Sequence, residues 1–340
     1  MEIVSTSAQP LTASYQRKNR LVRVFALSMV GLTLIYLINN YLNVWHDWPG
    51  VAAYFFTSNT AENAPVTLAW LQLVSYLIIV PVVVLRVFKT DHRLIDDSDR
   101  ISRWVEYIIR TGFWSVVLIG LLDGLISWMR VENLLQPVFG EALGTNLGKS
   151  DFRGTWVHYP LILISMVLAV RFKTVSVSWL ALLVVFSEAW IVVARFIFSY
   201  EQTLMGDLVR FWYASLLLFS SAYTLTKEGH VRVDVLYAQA STRYKAWANT
   251  IGIFLLALPL CWVILLFGLW DKSSILNSPL VSFEISQSAY GLFVKYLMAS
   301  FLIVFAVTMM LQFCSYLLRN VAILTGEVEV KDDHHDDVIA

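Results

Sequence analysis

Cysteine, charge and the short catalytic signatures are what this sequence has least of. Cys261 and Cys314 are the only cysteines in 340 residues, and both lie inside apolar runs. Neither a disulfide framework nor a thiolate metal site is therefore expected. Charged residues make up 15% of the chain against 58% hydrophobic ones, a balance that belongs to membrane proteins rather than soluble domains. Lys+Arg and Asp+Glu stand at 25 each, and no basic stripe runs along the chain, so the electrostatic footprint of nucleic-acid binding is missing. The chain has no His-Glu-x-x-His, no Gly-x-Ser-x-Gly, no phosphate-binding glycine loop and no paired-histidine haem arrangement. Neither an enzyme nor a cofactor-binding protein is expected.

Long apolar runs dominate instead, with a mean hydropathy of +0.64. A bilayer core of about 30 Å needs roughly 20 residues of helix, and that ruler selects about eight spans. They fall near 21–44, 66–88, 107–129, 155–171, 176–198, 205–225, 247–270 and 290–317, the fourth short and containing Pro160. The expected fold is an all-α polytopic membrane helix bundle. The polar N-terminus ends in Arg17, Lys18 and Arg20, and the apolar run after it is too long for a cleaved signal sequence, so it reads as an anchor. Basic residues gather at the N-terminus, at Arg86 to Arg103, at Arg171 and Lys173, and at Lys227 to Lys245. By the positive-inside rule these segments and both termini lie on the cytoplasmic side. Trp45, Trp48, Trp156, Trp179, Trp247 and Trp270 stand near span ends, where interfacial anchors belong.

Two acidic stretches resemble ion sites only superficially. The 89–106 loop carries Asp91, Asp96, Asp97 and Asp99 without the ligand order of a divalent-cation loop. The segment from Glu327 to Ala340 reads as an acidic, solvated and disordered tail.

Charges at membrane depth are costly and need partners. Asp123 is central in the third span, and Arg110 on the same helix is about 20 Å away at 1.5 Å per residue. Glu188 and Arg195 in the fifth span share a face but stand about 10 Å apart along the axis. Each therefore expects a partner on another helix or another protein, or else a role lining a transport path.

Between the sixth and seventh spans lies an alternating island. Glu228-Gly229-His230-Val231-Arg232-Val233-Asp234-Val235-Leu236-Tyr237 interleaves charge with apolar residues. As a helix it would pair His230 with Asp234, and as an extended strand it would put His230, Arg232 and Asp234 on one face. Ser241 follows as a candidate N-cap for the next helix. Ala214 and Ser221, seven apart in the sixth span, offer small residues for close helix approach.

The string from Ala222 to Leu225, a short charged turn, and Gly229 to Tyr237 resemble the signature of the small membrane subunit, the DctQ type, of tripartite ATP-independent periplasmic (TRAP) transporters. Val193 to Phe198 is similar to the arginine-aromatic end of that family's first helix, and Asp207-Leu208-Val209-Arg210 to the entry of its second. Leu204 and Gly206 stand where that entry has a tryptophan and a glutamate.

The resemblance covers about 176–325 and implies a division into a cytoplasmic segment 1–20, a four-helix membrane extension 21–175, a DctQ-like four-helix domain 176–325 and a tail 326–340. It further implies a multi-pass protein of the bacterial inner membrane. Its partners would be a large DctM-type membrane subunit and a periplasmic solute-binding protein, the three importing an organic acid on an ion gradient. On that pattern Arg195, Asp207 and Arg210 fix helix ends, while Gly229, His230, Arg232 and Asp234 meet phospholipid headgroups or the large subunit. The competing expectation is a self-contained transporter or channel whose path is lined by Asp123, Glu188 and Arg195.

Overall fold

The computed structural model of the chain describes residues 3–4, 13–51, 66–174, 178–200, 203–226, 237, 240–286 and 291–330. Helices account for almost all of it. They are α1 (Ala13–Trp45), α2 (Val66–Lys89), α3 (Leu94–Val131), the short α4 (Leu135–Phe139) and α5 (Glu141–Leu147), α6 (Ser150–Arg153), α7 (Tyr159–Arg171), α8 (Ser178–Ile197), α9 (Thr203–Thr226), α10 (Thr242–Gly252), α11 (Leu258–Gly268), α12 (Asn277–Ser282) and α13 (Lys295–Leu324). The described strands are two-residue pieces, Ile3–Val4 (β1) and Glu329–Val330 (β2), which pair antiparallel.

Seven described helical segments are long and apolar enough to cross a membrane: Arg17–Trp45, Val66–Lys89, Leu94–Val131, Ser150–Arg171, Ser178–Ile197, Thr242–Gly268 and Lys295–Leu324. The eighth expected span, α9, forms as a helix of 24 residues. Asp207, Arg210 and its serine, threonine and tyrosine residues keep it out of that apolar set. Large apolar side chains elsewhere are exposed, Phe196 at 78% and Ile275 at 76% among them, which suits a surface facing hydrocarbon rather than water. Trp45, Trp156, Trp179, Trp247 and Trp270 are all exposed near helix ends.

Three expectations are corrected. The 89–106 loop is helical from Leu94 onward, so the third span is a 38-residue helix rather than 107–129. Leu94, Ser98, Ile101 and Val105 form its buried stripe, and Asp96 and Asp97 sit in its first turn, where carboxylates suit the helix dipole. The tail is not disordered from 326: Gly326 turns with φ of 72°, Glu327 is buried and β2 pairs with β1. The helix-approach residues lie elsewhere than expected, because α9 buries Phe211, Trp212 and Phe219 rather than Ala214 and Ser221. Ser241 caps α10 as expected, accepting the Tyr244 N–H at 3.3 Å.

Two helices widen by one π turn, at Gly154–His158 and Ile253–Ala257, and each turn is followed two residues later by proline, Pro160 and Pro259. Proline has no N–H and clashes with the carbonyl four residues back. The wider turn removes that conflict without breaking the helix.

The chain divides into two compact units. The first contains Met1–Trp104, Glu228–Val263 and Met309–Ala340. Polar side chains tie its helices: Asn39 Nδ2 donates to Ser75 Oγ at 3.0 Å, Gln72 Nε2 to Asn43 Oδ1 at 2.6 Å, and Asn249 Nδ2 to Tyr316 Oη at 2.9 Å. Such bonds hold helices together where hydrocarbon supplies no hydrophobic drive.

The second unit contains Val105–Lys227 and Ile264–Thr308. Here α3 turns a small-residue ridge toward α9. A Cβ on Gly112 would stand 2.9 Å from the Phe219 ring, and one on Gly120 2.5 Å from Trp212 Nε1, which donates to the Val116 carbonyl at 3.2 Å. The two units do not follow the sequence halves 21–175 and 176–325, since each takes helices from both.

Candidate functional site

Within the second unit, Asp123, Ser127 and Arg130 are four and seven residues apart on α3 and so share a face. Opposite them, Arg153 ends α6 and His158 ends the π turn. In a regular α-helix residues five apart diverge by about 140°. The i→i+5 turn at 154–158 brings them to one side.

The result is a buried ionic cluster. Asp123 and Arg153 are both 0% exposed and pair at 2.9 Å through Oδ1 and Nη1. His158 Nε2 lies 3.2 Å from the same oxygen, and its Nδ1 lies 2.7 Å from Tyr296 Oη. A neutral His158 satisfies both contacts by donating from Nε2 to Asp123 and accepting the tyrosine hydroxyl at Nδ1. Arg153 also donates to Ser127 Oγ at 2.8 Å and to the Leu147 carbonyl. The second oxygen of Asp123 accepts the Phe293 backbone N–H at 3.0 Å.

A second carboxylate acts on the neighbouring peptide. Asp207, buried in the first turns of α9, accepts the Leu292 N–H at 3.1 Å and Ser286 Oγ at 3.3 Å. Two aspartates from two helices thus hold consecutive backbone amides just ahead of α13. Both amides lie just upstream of the first turn of α13, where negative charge is favourable. The guanidinium groups of Arg130 and Arg153 each lie 4.3 Å from the Phe293 ring centre, and Arg130 Nη2 donates to the Gly291 carbonyl at 2.8 Å. Lys295 pairs with Glu284, whose carbonyl accepts the Tyr296 N–H at 3.1 Å.

Close packing seals the cluster. A Cβ on Gly154 would fall 2.2 Å from Phe283 Cε1 and 3.2 Å from Tyr296 Oη, so no larger residue fits without moving the ring. Phe283 itself adopts φ of 49°, an uncommon conformation for an aromatic residue. The arrangement clamps the 291–294 segment. With both principal groups fully buried, it has the character of a structural joint rather than an open binding cleft.

The other expected residues are dispersed. Glu188 and Arg195 are exposed on α8, next to the narrow buried stripe of Leu180, Ser187 and Ala194. Among the described residues no hydrogen bond or ion pair joins either to Asp123. Arg210 is 74% exposed and meets Asp207 at 3.4 Å. Gly229, His230, Arg232 and Asp234 lie outside the described residues. Among the described residues no group of three His, Cys, Asp or Glu side chains forms a metal site.

The sequence reading missed Arg153 and His158. Arg153 stood before the span expected at 155–171, and the lone histidine carried no spacing signal. Depth could have revealed them. A carboxylate eight residues from the end of one span is level with residues near the start of the next, antiparallel one.

These features define a polytopic helical membrane protein whose buried charges serve to hold helices. Residues 181–322, from the first turn of α8 to the last of α13, match the family described as tripartite ATP-independent periplasmic transporters, DctQ component. The chain carries that region behind a long N-terminal extension. No curated protein and no solved structure matches the chain.

Proposed function

We propose that the chain is the small, bracing subunit of a TRAP-type carrier. It packs in the bacterial inner membrane, with both termini cytoplasmic, against a large DctM-type subunit that works with a periplasmic solute-binding protein to import an organic acid on an ion gradient. The observation that carries this reading is the match over 181–322. The structure supports a bracing role over a self-contained path because Asp123 already has Arg153, His158 and the Phe293 amide. It does not line a route with Glu188 and Arg195.

Glu188 supports a partner. It lies mid-way along α8, exposed among Phe186, Trp190 and Val192, where a carboxylate facing lipid is costly. A donor or cation on a helix of the large subunit removes that cost. The connector with Gly229, His230, Arg232 and Asp234 meets phospholipid headgroups or the same subunit, and Arg195 and Arg210 anchor helix ends at the opposite surface.

The test is co-purification of the tagged chain from its native host in mild detergent. A large polytopic permease should accompany the wild type in near-equal amount, and Glu188→Gln should reduce its recovery while leaving the chain's own melting temperature unchanged. A wild-type chain that purifies alone, and transports substrate alone in liposomes, would overturn the proposal.

A further inference from the structure

In the first unit, the start of α1, the end of α2 and the start of α3 meet around a cavity of about 340 Å³ lined by Asn19, Arg20, Arg23, Asp91, Arg93 and Glu327, with His92 beside them. It lies among residues outside the 181–322 match, and its interpretation does not depend on the transport reading.

Its floor is committed to structure. Arg23 Nε donates to Asp97 at 2.7 Å and its Nη1 to the Thr90 carbonyl at 2.9 Å. Glu327 accepts Asn19 Nδ2 at 3.0 Å and the Ile95 N–H at 3.3 Å. Arg93 Nη2 donates to the Glu327 carbonyl at 2.7 Å. The mouth is different. Arg20 and Arg93 are 41% and 38% exposed, and Arg20 reaches Asp91 only at 3.4 Å, with the Asp91 side chain 91% exposed. Two guanidinium groups with unused N–H donors thus stand beside one loosely held carboxylate.

Both signs of charge surround the cavity. Arg20, Arg23 and Arg93 line it with Asp91 and Glu327, Arg23 is offset by the buried Asp97 behind it, and Asp91 is the exposed carboxylate beside the arginines of the mouth. A ligand with both signs fits. Beside the mouth, Leu21, Leu85 and Phe88 are exposed at 63%, 61% and 60%, and the Arg20 guanidinium lies 5.5 Å from the Phe88 ring centre. A polar cavity at the ends of membrane-length helices, next to apolar surface, suits an amphiphile rather than a soluble solute.

We propose that this cavity holds the headgroup of a zwitterionic phospholipid with a primary amine. Its phosphate rests on Arg20 and Arg93, its ammonium donates to Asp91, and its acyl chains lie along Leu21, Leu85 and Phe88. Planar guanidinium donors match phosphate oxygens in pairs. A primary ammonium can donate to a carboxylate, whereas a quaternary one cannot.

The experiment is native mass spectrometry of the delipidated full chain in mild detergent, titrated with phosphatidylethanolamine, phosphatidylcholine, phosphatidylglycerol and, as a headgroup without chains, phosphoethanolamine. Wild type should take one phosphatidylethanolamine in preference to the others. Arg20→Gln should weaken that adduct about tenfold, as expected on losing a charge-assisted phosphate contact. Asp91→Asn should erase the preference over phosphatidylglycerol while leaving phosphatidylglycerol binding intact, and its 91% exposed side chain makes misfolding no explanation. Unchanged phosphatidylethanolamine binding in Arg20→Gln, or equal binding of phosphatidylglycerol by wild type, would overturn the site. Phosphoethanolamine binding as tight as the lipid would refute the membrane source.

Discussion

Replacing Asp123 by alanine should be among the most damaging single changes in the chain. The substitution leaves Arg153, itself 0% exposed, without its carboxylate, and strips the Phe293 N–H and His158 of an acceptor. Removing one partner of a buried ion pair costs about 3–5 kcal/mol, and the orphaned amide alone accounts for about 1–3 kcal/mol of desolvation that overlaps with it. Equilibrium unfolding in mixed detergent micelles, followed by tryptophan fluorescence, measures the loss. The pairing makes a sharper demand on the double variant. Asp123→Leu with Arg153→Met removes both charges at similar volume, and such replacements are often neutral. It should recover all but about 1–2 kcal/mol, the remainder belonging to the amide and the histidine. A cost below about 1 kcal/mol for Asp123→Ala, or single costs that simply add in the double variant, would refute a coupled cluster.

Two further outcomes follow from close packing and from burial. Gly154→Ala places a methyl group 2.2 Å from the Phe283 ring and should cost about 1–3 kcal/mol as overpacking; Phe283→Leu in the same chain should return part of it in the same unfolding assay. Burial pushes the Glu327 carboxyl above its ordinary value, against the lowering effect of the Ile95 amide and of Arg93. A carboxyl raised on folding binds more protons in the native state. Its contribution is therefore present below its unfolded pKa and lost as pH rises through the folded one. As pH rises above the ordinary glutamate range, the wild-type unfolding midpoint should fall by more than that of Glu327→Gln, and equal slopes would contradict the burial argument.

Long apolar runs made most of the spans legible, because spanning a bilayer requires length and hydropathy and little else. Boundaries were less legible where charge and burial coexist. Leu94, Ser98, Ile101 and Val105 keep a helical stripe through a run that also holds Asp96, Asp97, Asp99, Arg100 and Arg103. Counting charges hides that period. The opposite holds for α9, whose buried face is rich in Phe and Trp while Ser, Thr and Tyr lower its mean hydropathy. Asp123 could be singled out because a lone carboxylate at depth is conspicuous. Its partners left only the signal of depth, since bringing His158 beside Arg153 takes a π turn ahead of Pro160 that the regular helical period does not anticipate.

The clamp also bears on what the residues before 181 contribute. Of the two carboxylates that hold the Leu292 and Phe293 amides, Asp207 lies inside the matched region and Asp123 before it. Arg130, Arg153 and His158, which complete the surroundings of Phe293 and Tyr296, also come from the preceding stretch. A shorter chain consisting of the matched region would hold the same helix start with one aspartate and would leave the Phe293 N–H in need of another acceptor. Of the residues before 181, those from Val105 onward therefore share the second unit with most of the matched region, while Met1–Trp104 belong to the first.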